Sequence, residues 1–458
     1  MRARVSGVSK DAGTPKVCAS DLLKWDESHG HRFTHDLFRF PGKFHPPLVE
    51  TLLKTLRPTG VIDPMAGVGT VAVEAKAAGI PSLSIDVDPV SAFFARVKTF
   101  PLSRRTLESA WRDFQPVVKL VRRPSAEIAR RRFQDIRIDA LRHHLTVTGR
   151  LDLESLDYWF RRYVIADVSR LDHAIWNGGL PQRHPAVRSF FKACLLATVR
   201  RISNADPSPV SGLEITSHMR ERLARGYSID VSAEFTRRVR LNIDRMDSYR
   251  TFLLDAEHLD TPAHVVHGQA NALEDIQRRV GVKANLILFS PPYCNAIEYW
   301  RRHRLEYFVG GFLTEQEVVS QHRRFIGRRV IGHDTSVVPP TLKHAAIDET
   351  IRALHRSDRR AKAWQLWHYF HEMRSHLDVF YRALPRQGAA VFVVGDSRTG
   401  SHTIPTAEIL QSMAVGAGFA VEATARYSIK NRSMQYPLKA GDRKIAEEAV
   451  VVLRKRAR

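Results

Sequence analysis

The chain has 458 residues, with 71 Lys and Arg against 48 Asp and Glu, so its formal net charge is +23. Hydrophobic residues make up 43% and charged residues 26%, which is typical of folded globular proteins and excludes wholesale disorder. Three widely separated cysteines exclude a disulfide scaffold and a cysteine-only zinc site, and no stretch approaches the roughly 20 apolar residues of a membrane span.

The first predicted elements are a strand, a glycine-rich turn, a helix and a second strand. Residues 1–20 predict a polar, mobile arm, and a helix over Pro46 to Leu56 follows an aromatic and basic segment. The short apolar run Val61 to Asp63 breaks into the turn, which leads into a helix over Val71 to Ala78. Pro81 to Ile85 is a second strand with an acidic tip. This order indicates a βαβ unit of a parallel sheet.

The predicted secondary structure changes between Arg104 and Leu259. Helical periodicity dominates there and strand signals are few, so we interpret residues 104–259 as a mostly helical insertion. Its arginines come in clusters, and a surplus of positive charge favours an anionic partner, above all nucleic acid. We therefore expect the insertion to take part in target recognition. The alternative is a helical cap that only stabilises the sheet of a protein that is simply basic.

Patterns typical of β-strands return after the insertion. His264 to His267 and the nearly unbroken apolar run Ala284 to Phe289 predict two strands, the second buried on both faces of a sheet. The remaining strong patterns, one helix and two strands, are Ala363 to Leu384, Ala389 to Val394 and Glu447 to Leu453. The sequence thus predicts an α/β fold in which residues 21–103 and 260–458 form one domain, split by the insertion.

The glycine-rich turn runs from Asp63 to Thr70 with the sequence DPMAGVGT. Glycines at a strand-to-helix turn let the backbone approach a ligand closely, and the helix N-terminus offers free N–H donors. Asp86, at the tip of the next strand, can accept hydrogen bonds from both hydroxyls of a ribose, although alone it is equally well explained as a helix cap. Together they favour a nucleoside-containing cofactor. The turn lacks the Lys-Ser/Thr pair of a phosphate loop, which disfavours ATP and GTP.

A second motif, Ser290-Pro291-Pro292-Tyr293, follows an apolar strand directly. The two prolines stop the pairing of the strand and leave the carbonyls of Ser290 and Pro291 without ladder partners. With the serine hydroxyl and the tyrosine ring, the motif offers acceptors for the N–H groups of a planar amine and a face on which its ring can stack. A proline-rich strand end with a buried tyrosine is the alternative.

In this order the motifs resemble those of the S-adenosylmethionine-dependent DNA amino-methyltransferases, which methylate N4 of cytosine or N6 of adenine. Phe40 to Pro46 is similar to the N-terminal cofactor motif of that family, and the glycine turn is similar to its DPF-x-G-x-G-T loop, with Met65 in place of phenylalanine. Ser290 to Tyr293 is similar to its catalytic tetrapeptide. The resemblance implies a Rossmann-like class I methyltransferase fold, S-adenosylmethionine as cofactor, and double-stranded DNA with a flipped-out base as substrate.

The resemblance also implies roles for individual residues. Those expected to bind the cofactor are Phe40, Lys43, Asp63, Pro64, Gly67, Gly69, Thr70, Asp86 and Gln269. Asp63 would orient the amino group of the cofactor and Asp86 its ribose, while Gln269 replaces an acid that contacts the adenine amine in the family. Its amide oxygen can accept the same bond. The expected catalytic residues are Ser290, Pro291, Pro292 and Tyr293, with Tyr293 stacking on the base; no metal site is expected.

Serine at the first position of the tetrapeptide resembles the N4-cytosine subgroup, so cytosine N4 is the expected target. An N6-adenine DNA methyltransferase or an RNA methyltransferase is the alternative enzyme, and a catalytically inactive nucleic-acid-binding subunit is the alternative from another class. Cys294 follows a tyrosine, not the proline of the C5-cytosine family, so we expect a buried thiol. His267 and His303 lack the partner spacing of metal ligands; we expect them to pack or to face phosphates.

Further expectations concern partners and location. Arginines after the tetrapeptide, at 301, 302, 304, 323–324 and 328–329, are expected to reach phosphates beside a flipped base, with a solvated helix face as the alternative. Arg454-Lys455-Arg456 predicts a solvated tail. No apolar stretch follows the first residues, so we expect no secretory signal and a cytoplasmic, nucleoid-associated protein. A companion restriction nuclease would fit the resemblance.

Overall fold

The computed structural model describes residues 17–40, 42–128, 158–178, 184–207, 213–294, 299–328, 335–357, 359–399, 402–429 and 447–456. Most of the predicted N-terminal arm, residues 1–16, lies outside this part of the chain, as do the arginines at 130–132. Within these ranges, no helix is long and apolar enough to cross a bilayer.

The first half of the sheet is built as predicted. Helix α1 (Pro46–Leu56) begins with two prolines, which cost nothing there because the N–H groups of a first turn have no intrahelical acceptor. Strand β1 (Val61–Asp63), helix α2 (Thr70–Ala77) and strand β2 (Ser82–Asp86) follow, and β1 and β2 pair in parallel. Helix α3 (Pro89–Thr99) leaves the acidic tip of β2 with Asp88 as its N-cap.

The described part of the segment between α3 and the next strand is helical. Its helices are α4 (Arg104–Ile128), α5 (Arg162–His173), α6 (Pro185–Ile202), α7 (Ser217–Ala224) and α8 (Val231–Asp255). They enclose an apolar core of their own, in which Trp111, Phe191 and Phe235 pack together, and this core continues onto Phe94 of α3. The division of the chain into domains and a recognition region stays a prediction.

Seven strands form the main sheet. They are β1 and β2 with β3 (Ala263–His267), β4 (Leu286–Phe289), β5 (Ala389–Gly395), β8 (Phe419–Ser428) and β9 (Glu447–Lys455); β6 (Ser397–Thr399) and β7 (His402–Ile404) form a separate hairpin. The order is β3-β2-β1-β4-β5-β9-β8, and only β9 runs antiparallel to the other strands. This mostly parallel sheet confirms the predicted α/β, Rossmann-like fold class. The order reverses between β1 and β4, the place where open α/β sheets bind ligands.

The remaining helices cover the sheet and its carboxyl edge. They are α9 (Leu273–Val280), α10 (Tyr299–Arg302), α11 (Arg304–Gly310), α12 (Glu315–His322), α13 (Ala345–Arg356), α14 (Arg360–Ala383) and α15 (Thr406–Gly416). On one face of the sheet Val61 and Leu288 pack with α1 and α2; on the other, Ile62 and Phe289 pack with α9, α13, α14 and α15. Alternate residues of each strand thus pack into two different cores, because successive side chains of a strand point to opposite faces of the sheet.

The basic C-terminal segment is mostly not a solvated tail, and that prediction is wrong. Arg454 and Lys455 belong to β9. Arg454 pairs with Glu422 at 2.7 Å, and the Nζ of Lys455 donates a hydrogen bond of 2.7 Å to the carbonyl oxygen of Leu384. These charges are therefore used to fix the last strand against its neighbours.

Candidate functional site

A cleft of about 250 Å³ opens at the carboxyl edge of the sheet, over the ends of β1, β2 and β4. It is lined by ten of the predicted site residues, namely Phe40, Lys43, Asp63, Pro64, Gly67, Thr70, Asp86, Gln269, Ser290 and Pro292. The three predicted site residues outside this lining are Gly69, Pro291 and Tyr293. The two motifs that are 220 residues apart in the sequence thus meet in one cleft.

The two glycines of the turn have different structural tasks. Gly67 has φ +50°, and a Cβ atom there would lie 3.0 Å from Cε1 of Phe40, so its lack of a side chain lets that ring lie over the loop. Gly69 has φ +80°, and a Cβ atom there would lie 2.8 Å from Cβ of Ala95 in α3. Gly69 is therefore a contact point between two helices, which explains why it does not line the cleft.

Asp86 holds the glycine turn and the tip of β2 together. Its Oδ2 accepts a hydrogen bond of 2.7 Å from the backbone N–H of Gly67, and its Oδ1 accepts one of 2.8 Å from that of Asp88. A carboxylate has about four acceptor positions, so further positions remain for a ligand in the cleft. Burial, with the nearby charge of Asp88, raises the pKa of Asp86 to about 7.

Asp63 ends β1 and is only 2% exposed. It accepts a hydrogen bond of 3.1 Å from the backbone N–H of Met65, which fixes the start of the turn. Burial raises the pKa of Asp63 well above its ordinary value, and the charge of Asp86 adds to the effect. A buried carboxylate that lines a cleft is suited to a cationic ligand group, because such a group would offset the cost of its ionisation.

His303 is buried beside the cleft residue Asp88, so it is a packing residue and does not face phosphates. Its Nδ1 lies 2.6 Å from Oδ2 of Asp88, and it is 2% exposed. Burial lowers the pKa of His303, but the charge and hydrogen bond of Asp88 outweigh this and leave it raised. The same pair leaves the pKa of Asp88 lowered, against the effect of burial. No group of three or more candidate metal ligands occurs among the described residues.

Ser290 lies half-buried in the cleft with its hydroxyl oriented. Its Oγ donates a hydrogen bond of 3.0 Å to the carbonyl oxygen of Val393 in β5. Because the single proton of the hydroxyl is used in this way, the lone pairs of Oγ are left to accept hydrogen bonds from a ligand. This is the polarity that the amine-binding interpretation of the tetrapeptide requires.

Pro292 lines the cleft, and Pro291 and Tyr293 lie beside it. Pro291 is buried, and the hydroxyl of Tyr293 donates a hydrogen bond to Glu448 at the start of β9. Cys294 is fully buried, and burial raises the pKa of its thiol, as expected for a packing residue. The contact with Glu448 joins residues 155 positions apart, and no sequence signal indicated it.

Other residues of the cleft lie outside the predicted set of cofactor-binding and catalytic residues. They are contributed mainly by the segment after the tetrapeptide and by α14, and include Trp300, Arg323, Arg324, Phe325, Ile326, Arg328, Glu372 and His376. Glu372 pairs with Arg328 at 2.6 Å, and burial raises the pKa of Glu372 despite this partner. The structure places Arg323, Arg324 and Arg328 at the cleft, and their expected contact with phosphates stays a prediction. Trp300 and Phe325 were missed, because they carried no distinctive signal.

Several arginines of the insertion form ion pairs with its own acidic residues at the surface. Arg104 pairs with Asp244 and Asp247 at 2.7 and 2.8 Å, and Arg240 pairs with Glu108 at 2.8 Å. A second cavity, of about 280 Å³, lies where the insertion meets the segment after the tetrapeptide. Its lining includes Tyr158, Trp159, Arg220, Arg301 and Arg304. Arg301 directly follows Trp300, which lines the first cleft, so the two cavities flank the same helical turn.

Comparisons with known proteins agree with the motifs. The chain is 22% identical over 268 residues, 57% of its length, to the Type II methyltransferase M.MvaI of Kocuria varians. It is 40% identical over 82 residues, 18% of its length, to the Type II methyltransferase M.MjaII of Methanocaldococcus jannaschii. The matches span 53% and 15% of these relatives. No family model and no solved structure matches.

These relatives confirm the predicted resemblance to the DNA methyltransferases. With the order of the sheet, they also confirm the Rossmann-like class I methyltransferase fold. The matches cover about half of the first relative and less of the second, so they bear on the family and the fold.

Proposed function

We propose that the chain is a site-specific DNA methyltransferase that transfers a methyl group from S-adenosylmethionine to the exocyclic amine of a flipped base, N4 of cytosine. The observation that carries the proposal is the hydroxyl of Ser290, which donates to Val393 and so offers only acceptors to the cleft. The same cleft contains Asp86 and the glycine turn. An amine-binding group and a nucleoside-binding group thus border one volume.

The residues of the cleft fit the proposed cofactor. The free acceptor positions of Asp86 suit the two hydroxyls of a ribose, and buried Asp63 suits a cationic amino group. Gln269 borders the cleft at the end of β3 with an amide that can pair with an adenine amine. Phe40, which lies over the turn, and Lys43 border it from the N-terminal side, with Pro64 and Thr70 in the turn itself.

The proposed mechanism depends on how Ser290 and Pro291 would bind the amine. An aromatic amine is a weak nucleophile because its lone pair is delocalised into the ring. The two N–H groups of the amine would donate hydrogen bonds to Oγ of Ser290 and to the carbonyl oxygen of Pro291. These hydrogen bonds would pull the nitrogen towards tetrahedral geometry and free its lone pair. When bound, S-adenosylmethionine supplies an already activated methyl group, so the protein would contribute mainly alignment. In this transfer the nitrogen would take the methyl group as the bond between that carbon and the sulfonium sulfur breaks, which leaves S-adenosylhomocysteine, and would then lose a proton to solvent.

The substrate would be double-stranded DNA with the target base turned out of the helix, since the amine is inaccessible in the duplex. The second cavity, with Arg220 and Arg301 at its edge, would take a phosphate next to that base. The helical insertion would supply sequence recognition from the same side. The Type II designation of both relatives favours a role in a restriction-modification system with a companion nuclease.

Isotope transfer tests the proposal directly. The protein is incubated with tritium-labelled S-adenosylmethionine and with unmethylated DNA or RNA, and the modified nucleosides are identified by mass spectrometry. N4-methylcytosine in DNA is the expected product. N6-methyladenine would reassign the base, methylated RNA would reassign the substrate, and cofactor binding without any transfer would favour an inactive recognition subunit.

A further inference from the structure

A carboxylate outside the lining of the cleft binds the tetrapeptide, although it lies in the last strand of the chain. Glu448 accepts a hydrogen bond from the hydroxyl of Tyr293 with Oε1 and one from the hydroxyl of Tyr427 with Oε2. Tyr427 and Glu448 are directly opposed in the β8–β9 pairing, and Gly395 opposes Glu448 on β5. Glu448 therefore lies at the carboxyl edge of the sheet, the edge on which the cleft opens.

The second tyrosine is itself fixed. Tyr427 is buried, and its ring makes an edge contact with Trp25 at 5.1 Å between centroids. Trp25 makes a further edge contact, at 5.7 Å, with His45, which follows the cleft residues Lys43 and Phe44. Oε2 of Glu448 is thus bound by a tyrosine that is itself packed against Trp25, while Oε1 binds Tyr293.

The hydrogen bond to Glu448 restricts the orientation of the Tyr293 ring. The Tyr293 side chain is half-buried, and rotation about its two side-chain torsions would change the plane of the ring. A hydrogen bond at the hydroxyl, the far end of the side chain, restricts both torsions at once. Charge-assisted hydrogen bonds to a carboxylate are among the stronger ones in proteins, which makes Glu448 an effective anchor.

We propose that Glu448 is a positioning residue that sets the plane of the Tyr293 ring for stacking on the flipped base. The inference rests on the proposed function, because it assigns to Tyr293 the stacking role in that reaction. It places the support for the ring in β9, more than 150 residues from the tetrapeptide. Tyr427 takes part only by holding the second carboxylate oxygen.

Paired substitutions test the inference. Tyr293→Phe keeps the ring and removes its bond, Glu448→Ala removes the acceptor, and Glu448→Gln keeps an acceptor oxygen. We expect Tyr293→Phe and Glu448→Ala each to lower kcat about tenfold, the double variant to lose no more than either, and Glu448→Gln to retain most of the activity. Tyr381→Phe, which removes the hydroxyl of a tyrosine of α14 outside the linings of both cavities, is the matched control and should behave as the wild type.

A fluorescent base separates ring positioning from folding. With 2-aminopurine at the target position, a well-placed ring quenches the flipped base, so Tyr293→Phe and Glu448→Ala should raise the emission equally while S-adenosylhomocysteine binds as in the wild type. Multiplicative losses in the double variant, or wild-type turnover and emission in Tyr293→Phe, would overturn the inference. If Glu448→Ala does not fold, Tyr293→Phe with Glu448→Gln still decides. A wild-type protein that transfers no methyl group to DNA refutes the proposed function itself.

Discussion

Asp86 and Gly67 are joined by a hydrogen bond of 2.7 Å from the backbone N–H of the glycine to Oδ2 of the carboxylate. The bond links the tip of β2 to the turn after β1, the two features that together favour a nucleoside-containing cofactor. Asp86 therefore has two functions in the proposed site: it holds the turn in place and offers its remaining acceptor positions to a ribose. Its substitution should affect cofactor binding more than folding.

The pKa of Asp86 gives the first prediction. Burial and the charge of Asp88 raise the pKa to about 7, and ribose hydroxyls would donate to the ionised form. Binding should therefore weaken as pH falls below 7 and level off above it. We expect S-adenosylhomocysteine to bind about tenfold more weakly at pH 6 than at pH 8, measured by calorimetry.

Asp86→Asn should bind the same ligand about tenfold more weakly at pH 8, since a charge-assisted acceptor is lost, and should have little dependence on pH. Asp275→Asn, at an exposed position of α9, is the matched control and should behave as the wild type. Equal dissociation constants for the wild type and Asp86→Asn at pH 8 would contradict the proposed ribose contact.

Ser290 gives the second prediction. Ser290→Ala removes the proposed acceptor for the amine and the hydrogen bond to Val393, which stabilises the fold by about 1 kcal/mol. By comparison with the loss of a single transition-state hydrogen bond in other enzymes, kcat should fall by about 10²-fold. The dissociation constant of S-adenosylhomocysteine should stay within about twofold, since cofactor contacts are unaffected.

Turnover of labelled cofactor on unmethylated DNA measures this effect, and Ser375→Ala, at an exposed position of α14, is the control. Unchanged kcat in Ser290→Ala would remove the serine from the mechanism. A parallel loss of cofactor affinity would instead indicate that the cleft had rearranged.

The sequence predicted the elements around the cleft well and the contacts between them poorly. Strand β1 and helix α1 have the predicted bounds, because an apolar run before a glycine turn and a proline pair at a helix start are local signals. Strand β8 was missed, since its sequence FAVEATARYS contains three alanines and gives neither a clear strand nor a clear helix period. The bonds of Ser290 to Val393 and of Tyr293 to Glu448 depend on sheet pairing, which no local pattern encodes.

The buried pair of His303 and Asp88 gives the third prediction. A raised pKa in the folded state means that the stabilisation from protonated His303 is complete below its ordinary value near 6.5 and is lost as pH rises through the folded value. The urea midpoint should therefore fall as pH rises above 6.5. His303→Leu should show a weaker dependence and lose about 3 kcal/mol at pH 6, because Asp88 keeps its charge without a cationic partner.

Exposed His218 of α7 provides the control, since His218→Leu removes a histidine without touching the pair. If His303→Leu followed the wild-type pH profile, the titrating group would have to lie elsewhere. Cofactor binding by the folded variant would show separately how far the pair supports the glycine turn.

The second cavity gives the fourth prediction, which concerns DNA. Arg220 and Arg301 are exposed at its edge. If each takes one phosphate, Arg220→Gln and Arg301→Gln should each weaken DNA binding and reduce the slope of log K against log salt by about 0.9. Fluorescence anisotropy over a series of salt concentrations measures both quantities.

Arg278 on α9 is the matched control, because it is exposed and lies outside the linings of both cavities. Arg278→Gln should leave the affinity and the slope unchanged. The phosphate contact is sequence-independent, so Arg220→Gln and Arg301→Gln should weaken binding equally to DNA with and without the target site. A loss confined to one sequence would mean that these arginines read bases, and unchanged slopes in both variants would exclude the cavity as the place where the backbone binds.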